Sequence, residues 1–136
     1  MKWGKIVLAT VVVGVLANVW AWLTCGWLFN WVYSLMPTEV WKPVEQMPLM
    51  LMNVANFIAA FLLVLVYAII YKGIPGKGAV RGLLFGLFLW LACSLPGNFM
   101  LGLFTVINPT VIGYWIISFL VFGLLEGAVI ALIYGD

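Results

Sequence analysis

The sequence predicts an all-α integral membrane protein with four transmembrane helices, and three observations predict it. Of 136 residues, 67% are hydrophobic and 7% are charged, where a soluble domain carries about 25% charged residues. A soluble chain this short leaves much of its surface in water and could not cover so much apolar side chain. Four apolar runs come close to or exceed the roughly 20 residues that cross a hydrocarbon core. None of them alternates polar and apolar as a barrel strand does. In lipid the backbone must satisfy its own hydrogen bonds, and helices are what remain.

Residues 6–25 form the first span, with apolar character continuing to Met36. Lys2 and Lys5 ahead of an apolar run look like a secretion signal. The run is longer than a signal's apolar core, however, and Trp20 and Trp22 leave no small-residue cleavage site, so an uncleaved helix is expected. Residues 48–71 form the second span, opened by Pro48, whose missing N–H costs little in a first helical turn. Residues 78–95 form the third, ended by Pro96 and Gly97, and residues 109–134 the fourth, opened by Pro109. Between them lie two outer segments. Segment 27–47 mixes polar and apolar residues and suits a short interfacial helix; segment 96–108 carries no charge and suits an interfacial or membrane-dipping connection. The 136 residues read as a single transmembrane domain.

Four spans put the N-terminus, the middle loop and the C-terminus on one side. That side holds Lys2, Lys5, Lys72, Lys77 and Arg81; the other holds Lys42 with Glu39 and Glu45. Basic residues gather on the cytoplasmic side of membrane proteins, so both termini are expected in the cytoplasm. Trp27, Trp31, Tyr33, Trp41, Tyr114 and Trp115 would form an outer aromatic belt, and Trp3, Tyr71 and Tyr134 an inner one.

The chain partly matches itself at an offset of 68 residues: Gly14 with Gly82, Trp22-Leu23-Thr24-Cys25 with Trp90-Leu91-Ala92-Cys93, Asn30 with Asn98. Either two helical hairpins repeat in parallel, about an axis along the membrane normal, or apolar sequence matches itself by chance. Small residues form stripes on several helices. Gly14 lies in one with Thr10, Asn18, Ala21 and Cys25; Gly78, Gly82 and Gly86 make overlapping GxxxG motifs; Gly123 and Gly127 make another. Such stripes let helix backbones approach where lipid offers no hydrophobic drive. Packing within one bundle is the expected use, and a homodimer contact the alternative. Asn53, Asn56, Ala60 and Tyr67 lie near one face of the second span. The asparagines are expected to hydrogen-bond between helices, each such bond contributing about 0.6 kcal/mol.

Catalytic chemistry is hard to find. There is no histidine, hence no usual general base or metal ligand. Cys25 and Cys93 form no CxxC motif, and no zinc site is expected. No Ser/His/Asp set, phosphate loop or paired carboxylates in a span occurs. No cofactor and no enzyme activity is expected, and a net charge of +2 points to no nucleic-acid partner. Glu126 is the singular residue. It lies eight residues before Tyr134, about 12 Å from the helix end. An acid at that depth must face protein, find a cation or be protonated. Bonds to Arg81, Tyr67, Thr10 or Asn18 are the expected solution, and snorkelling at the lipid edge the bland alternative.

Lys5-Ile6-Val7-Leu8-Ala9-Thr10 at the opening of the first span, the Gly14 stripe, the segment from Gly78 to Trp90 and the closing Gly127–Tyr134 segment resemble small four-helix bacterial inner-membrane proteins of unknown function. The resemblance covers most of the chain, implies an inner-membrane location and carries no activity. Small multidrug transporters share the length and the four helices, but their essential glutamate lies in the first helix, where this chain has no acid. Two functional expectations follow. One is a non-catalytic accessory or assembly subunit, or a self-associating membrane component, whose partners are the lipid bilayer and other membrane subunits or a second copy. The other is a small transporter or channel using Glu126, with Asn18, Asn53 and Asn56 as polar lining.

Overall fold

The computed structural model describes residues 1–135, and every regular element among them is helical. Five α-helices occur: α1 (Trp3–Leu23), α2 (Leu49–Ile70), α3 (Gly78–Leu89), α4 (Leu95–Phe104) and α5 (Pro109–Tyr134). A wide π-helical turn, Thr24–Leu28, prolongs α1, and another, Trp90–Ser94, joins α3 to α4. Four helical stretches are thus long and apolar enough to cross a membrane: Trp3–Leu28, Leu49–Gly73, Gly78–Phe104 and Pro109–Tyr134.

The third stretch departs from expectation. Pro96 does not end it; the helix runs on to Phe104. The π turn has already broken the regular i→i−4 ladder there. Pro96 then falls in the first turn of α4, where a missing N–H removes little. What was expected as a connection over 96–108 therefore shrinks to the few residues between Phe104 and Pro109. The segment 27–47 holds two short 3₁₀ turns, Asn30–Ser34 and Val44–Gln46, in place of an interfacial helix. The peptide bond before Pro37 is cis, and the Met36 carbonyl accepts a hydrogen bond of 2.8 Å from the Asn108 amide, tying this segment to the start of α5.

In packing, α2 lies against α1, α1 against α5, and α5 against α3. The α3–α5 contact is the closest because it is made of backbone. A Cβ added at Gly82 would strike the Gly127 carbonyl, one at Gly86 the Gly123 carbonyl, and one at Gly127 the Gly82 carbonyl. The α1–α2 contact is built differently, with the Phe57 ring lying on Gly14. The two halves therefore share a π turn in their matched segments but do not pack alike. Gly78 stands outside the stripe. Nothing lies within 4 Å of its would-be Cβ, and its φ of 52° belongs to the turn that opens α3, a left-handed conformation suited to glycine.

Most of the buried core gathers at one end, called here the basic end because Lys2 and Arg81 lie there. Tyr67, Tyr134, Phe85, Ile6, Ile74 and Ile130 are its largest members. Tyr67 contacts Phe85 (5.1 Å between centroids) and Tyr134 (5.9 Å), and Tyr134 contacts Tyr71 (5.2 Å). Lys2 caps the Tyr134 ring at 5.4 Å, and Arg81 the Tyr71 ring at 5.7 Å.

Overpacking a tight contact costs about 1–3 kcal/mol. Gly82→Ala, Gly86→Ala and Gly127→Ala are each expected to destabilise the protein by that amount in thermal unfolding in mild detergent. Gly123→Ala, whose added carbon would sit at an ordinary 3.6 Å from the Gly86 carbonyl oxygen, is expected to leave the midpoint nearly unchanged. Equal effects at all four positions would contradict this account of the contact.

Candidate functional site

Glu126 lies on α5 between the two glycines that touch α3. Beside it runs a narrow cavity of about 60 Å³. Its walls are Phe85, Leu89, Trp90 and Ser94 from the third span, and Phe119 and Phe122 from α5, with Leu63 of α2 at its side. A water needs at least about 10–15 Å³, so the cavity has room for a few waters and none for an organic substrate. It is elongated. From the Gly86–Gly123 contact, Glu126 lies roughly 4–5 Å toward the basic end and Ser94 about 12 Å the other way, at 1.5 Å per residue. Helical side chains lean toward their own N-terminus, which inclines Glu126 and Ser94 toward each other along the cavity.

The expected partners of Glu126 are elsewhere. Among the described residues it makes no hydrogen bond or ion pair. Arg81 neighbours Gly82, which faces α5, and so points off to the side, over the Tyr71 ring. Tyr67 is packed into the basic-end aromatic cluster. Asn18 donates to the Gly14 carbonyl (2.9 Å) and accepts from the Asn56 amide (2.9 Å), linking α1 to α2. The Thr10 hydroxyl is buried without a hydrogen-bond partner among the described residues. The expected polar lining is therefore divided. Asn18 and Asn56 come together, Asn53 is exposed on α2, and Glu126 faces a different cavity.

At the far end, the aromatic residues do more than line a surface. Tyr33 accepts a hydrogen bond from Trp115 Nε1 (2.8 Å) and donates to Cys25 Sγ (3.3 Å), while Tyr114 OH lies 3.4 Å from the same sulfur. Trp41 packs edge-on against Tyr33 (5.2 Å) and Trp115 (5.9 Å). This tryptophan end is thus knotted across three sequence-distant segments. Two further indoles anchor the π-turn regions to α5: Trp20 donates to the Ser118 hydroxyl (3.0 Å) and Trp90 to the Ile116 carbonyl (2.9 Å). Neither the Cys25–Tyr33 pairing nor the place of Ser94 on the wall of the Glu126 cavity could be read from spacing, because both depend on the π turns.

No metal-binding group of three or more Cys, Asp or Glu side chains occurs among the described residues. The chemistry available at the Glu126 cavity is that of one carboxylate, one hydroxyl and apolar walls. Such a set can hold a proton or a small cation with its water, and it offers no nucleophile with a base beside it.

Burial, first of all, and the bond to the Cys25 sulfur push the Tyr33 phenol well above the usual tyrosine range; the Trp115 N–H pulls the other way. The unfolded chain loses this proton near pH 10, before the folded protein does. Tyr33 thus contributes stability that is present below about pH 10 and lost as pH rises beyond it. Unfolding midpoints measured across that range should fall for the wild type. Tyr33→Phe should flatten the slope, and an unchanged slope would place the titration elsewhere.

Comparison of the chain with protein-family models, with curated proteins and with solved structures finds no match, so its functional reading rests on its own chemistry.

Proposed function

We propose that this is a multi-pass membrane protein that acts by association and not by catalysis, as an accessory or assembly subunit of a larger membrane complex or as a self-associating component. One observation carries the reading. The first two turns of α2, from Leu49 to Ala55, are exposed throughout, Met50 to 82%. Asn53 displays its amide on that surface, with no hydrogen-bond partner among the described residues. Four residues into the helix, it lies about 6 Å from the helix start. An amide in apolar surroundings carries a desolvation cost until a partner meets it. Helix association in lipid uses polar side chains of this kind.

We place the protein in the bacterial inner membrane with both termini cytoplasmic. Five of its six basic residues, all but Lys42, belong to the basic end, and this distribution supports the orientation. A reporter that is active only in the cytoplasm, fused after the C-terminus, should be active. A periplasmic reporter active at the same position would reverse the assignment.

The tagged full chain, extracted in mild detergent, should appear in native mass spectrometry as a stoichiometric complex. Additional subunits would make it an accessory component, and two or more copies a self-associating one; a lone monomer overturns the proposal. Asn53→Leu should weaken the complex about 3- to 20-fold, the range set by interhelical polar contacts of roughly 0.6–1.7 kcal/mol.

A further inference from the structure

The Glu126 cavity is closed off toward the basic end and is lined as far as Ser94 in the other direction. Toward the basic end, Ile130, Ala131, Tyr134, Phe85 and Tyr67 are each 2% exposed or less. Behind Glu126 the Gly82 and Gly127 backbones touch. A water or ion could not pass through that packing without displacing it. Toward the tryptophan end the cavity continues past Trp90 to Ser94. The Ser94 carbonyl accepts from the Asn98 amide at 2.7 Å, while its hydroxyl makes no hydrogen bond among the described residues. The wall at that point is the Trp90–Ser94 π turn, and π turns inside helices often occur at functional sites.

We propose that Glu126 is a one-sided cation site: its carboxylate takes up a single proton or sodium ion, which arrives with water along the cavity from the Ser94 side and has no exit toward the basic end. The proposal goes beyond association and rests on the membrane-spanning reading. The walls contribute no second charge. The third span presents Phe85, Gly86, Leu89, Trp90 and Ser94, and α2 presents Leu63. On α5 the neighbours are Phe119, Phe122, Gly123 and Gly127, so among the described residues Glu126 is the one carboxylate or amine lining the cavity. Arg81, the nearest charged side chain on the facing helix, lies over Tyr71 and does not line it. A carboxylate so placed has an incoming cation as its available partner. The few waters that fit beside it supply the remaining oxygens, and the Ser94 hydroxyl, farther along the cavity, is a relay on the way in.

The test uses the full-length protein in mild detergent and dicyclohexylcarbodiimide, an apolar reagent that reacts with protonated carboxyls. The acid O–H adds across one C=N bond, and the O-acylisourea rearranges to a stable N-acylurea with no atom lost. Intact-mass and peptide mass spectrometry read the adduct. One adduct at Glu126 is expected, absent from Glu126→Gln and declining as the pH is raised. Sodium chloride is compared with potassium chloride at constant pH. Protection by sodium alone identifies sodium as the cation, and pH dependence without a salt effect identifies the proton. Lack of reaction at Glu126 at every pH, or a yield indifferent to both pH and sodium, overturns the site.

Direction is tested separately in sealed vesicles of known orientation, with Cys25 and Cys93 replaced by serine. A small water-soluble thiol reagent should modify Ser94→Cys from the tryptophan side only. Modification from the basic side, or from neither, overturns the one-sided route. Ser94→Leu, which fills the cavity without touching the carboxylate, should abolish the sodium or pH response of Glu126 labelling; an unaltered response would mean that cations reach Glu126 by another path. Oligomeric state is read without these reagents, so failure here is distinguishable from failure of the association proposal.

Discussion

Much of the molecule's arrangement depends on the contact between the backbones of α3 and α5. Gly82 and Gly86 on one helix meet Gly123 and Gly127 on the other with carbonyls lodged where side chains would stand. Apolar side chains have no reason to leave a lipid surrounding for each other, so close approach and dispersion must hold helices together there. That approach draws Phe85 into the core at the basic end with Tyr67, Tyr134 and Ile130. Beyond Gly86 it gives way to Leu89, Trp90, Phe119 and Phe122, side chains too large for the same backbone contact. The cavity beside Glu126 is the space between those larger side chains.

Helix α5 is the centre of the arrangement. It touches α1, α3 and α4, and the indoles of Trp20 and Trp90 both anchor on it. By contrast α2 is attached mainly through α1, by the Phe57 ring on Gly14 and by the Asn18–Asn56 bond. Its basic-end half enters the core through Ala60, Val64 and Tyr67, while its opposite half contributes no buried residue. The exposed stretch that supports the association reading therefore follows from connectivity. A helix held at one end and linked along the rest of its length mainly to one neighbour leaves the remaining surface to whatever surrounds the protein.

The two π turns serve both ends of this scheme. Thr24–Leu28 turns Cys25 toward Tyr33 and Tyr114, and the thiol becomes part of a knot that ties the long connection to α5. Trp90–Ser94 carries the third span past Pro96 and brings Ser94 to the wall of the Glu126 cavity. A widened turn changes which side of a helix the following residues occupy. The same chain can thus pack its basic half by small-residue stripes and its far half by aromatic side chains.

The sequence by itself determined the class of the fold. An apolar composition, four long runs and so few charges allow little else, because the backbone hydrogen-bonding constraint acts on every residue alike. It also singled out Glu126, since one acid in a long apolar run is visible without knowing any neighbour. The tertiary structure decided what those residues meet. Arg81 and Glu126 lie at similar heights, yet the rotation of α3 that seats Gly82 on α5 turns Arg81 to Tyr71. Asn53 and Asn56 are three residues apart, yet one is bonded to Asn18 and the other is exposed. Pro96 read as a stop because a regular helix would have stopped there, and the π turn that lets the helix continue has no sequence signature of its own. Height along a helix follows from counting residues. Rotation about its axis is set by which small residues find a backbone to rest on, and that is a property of two helices together.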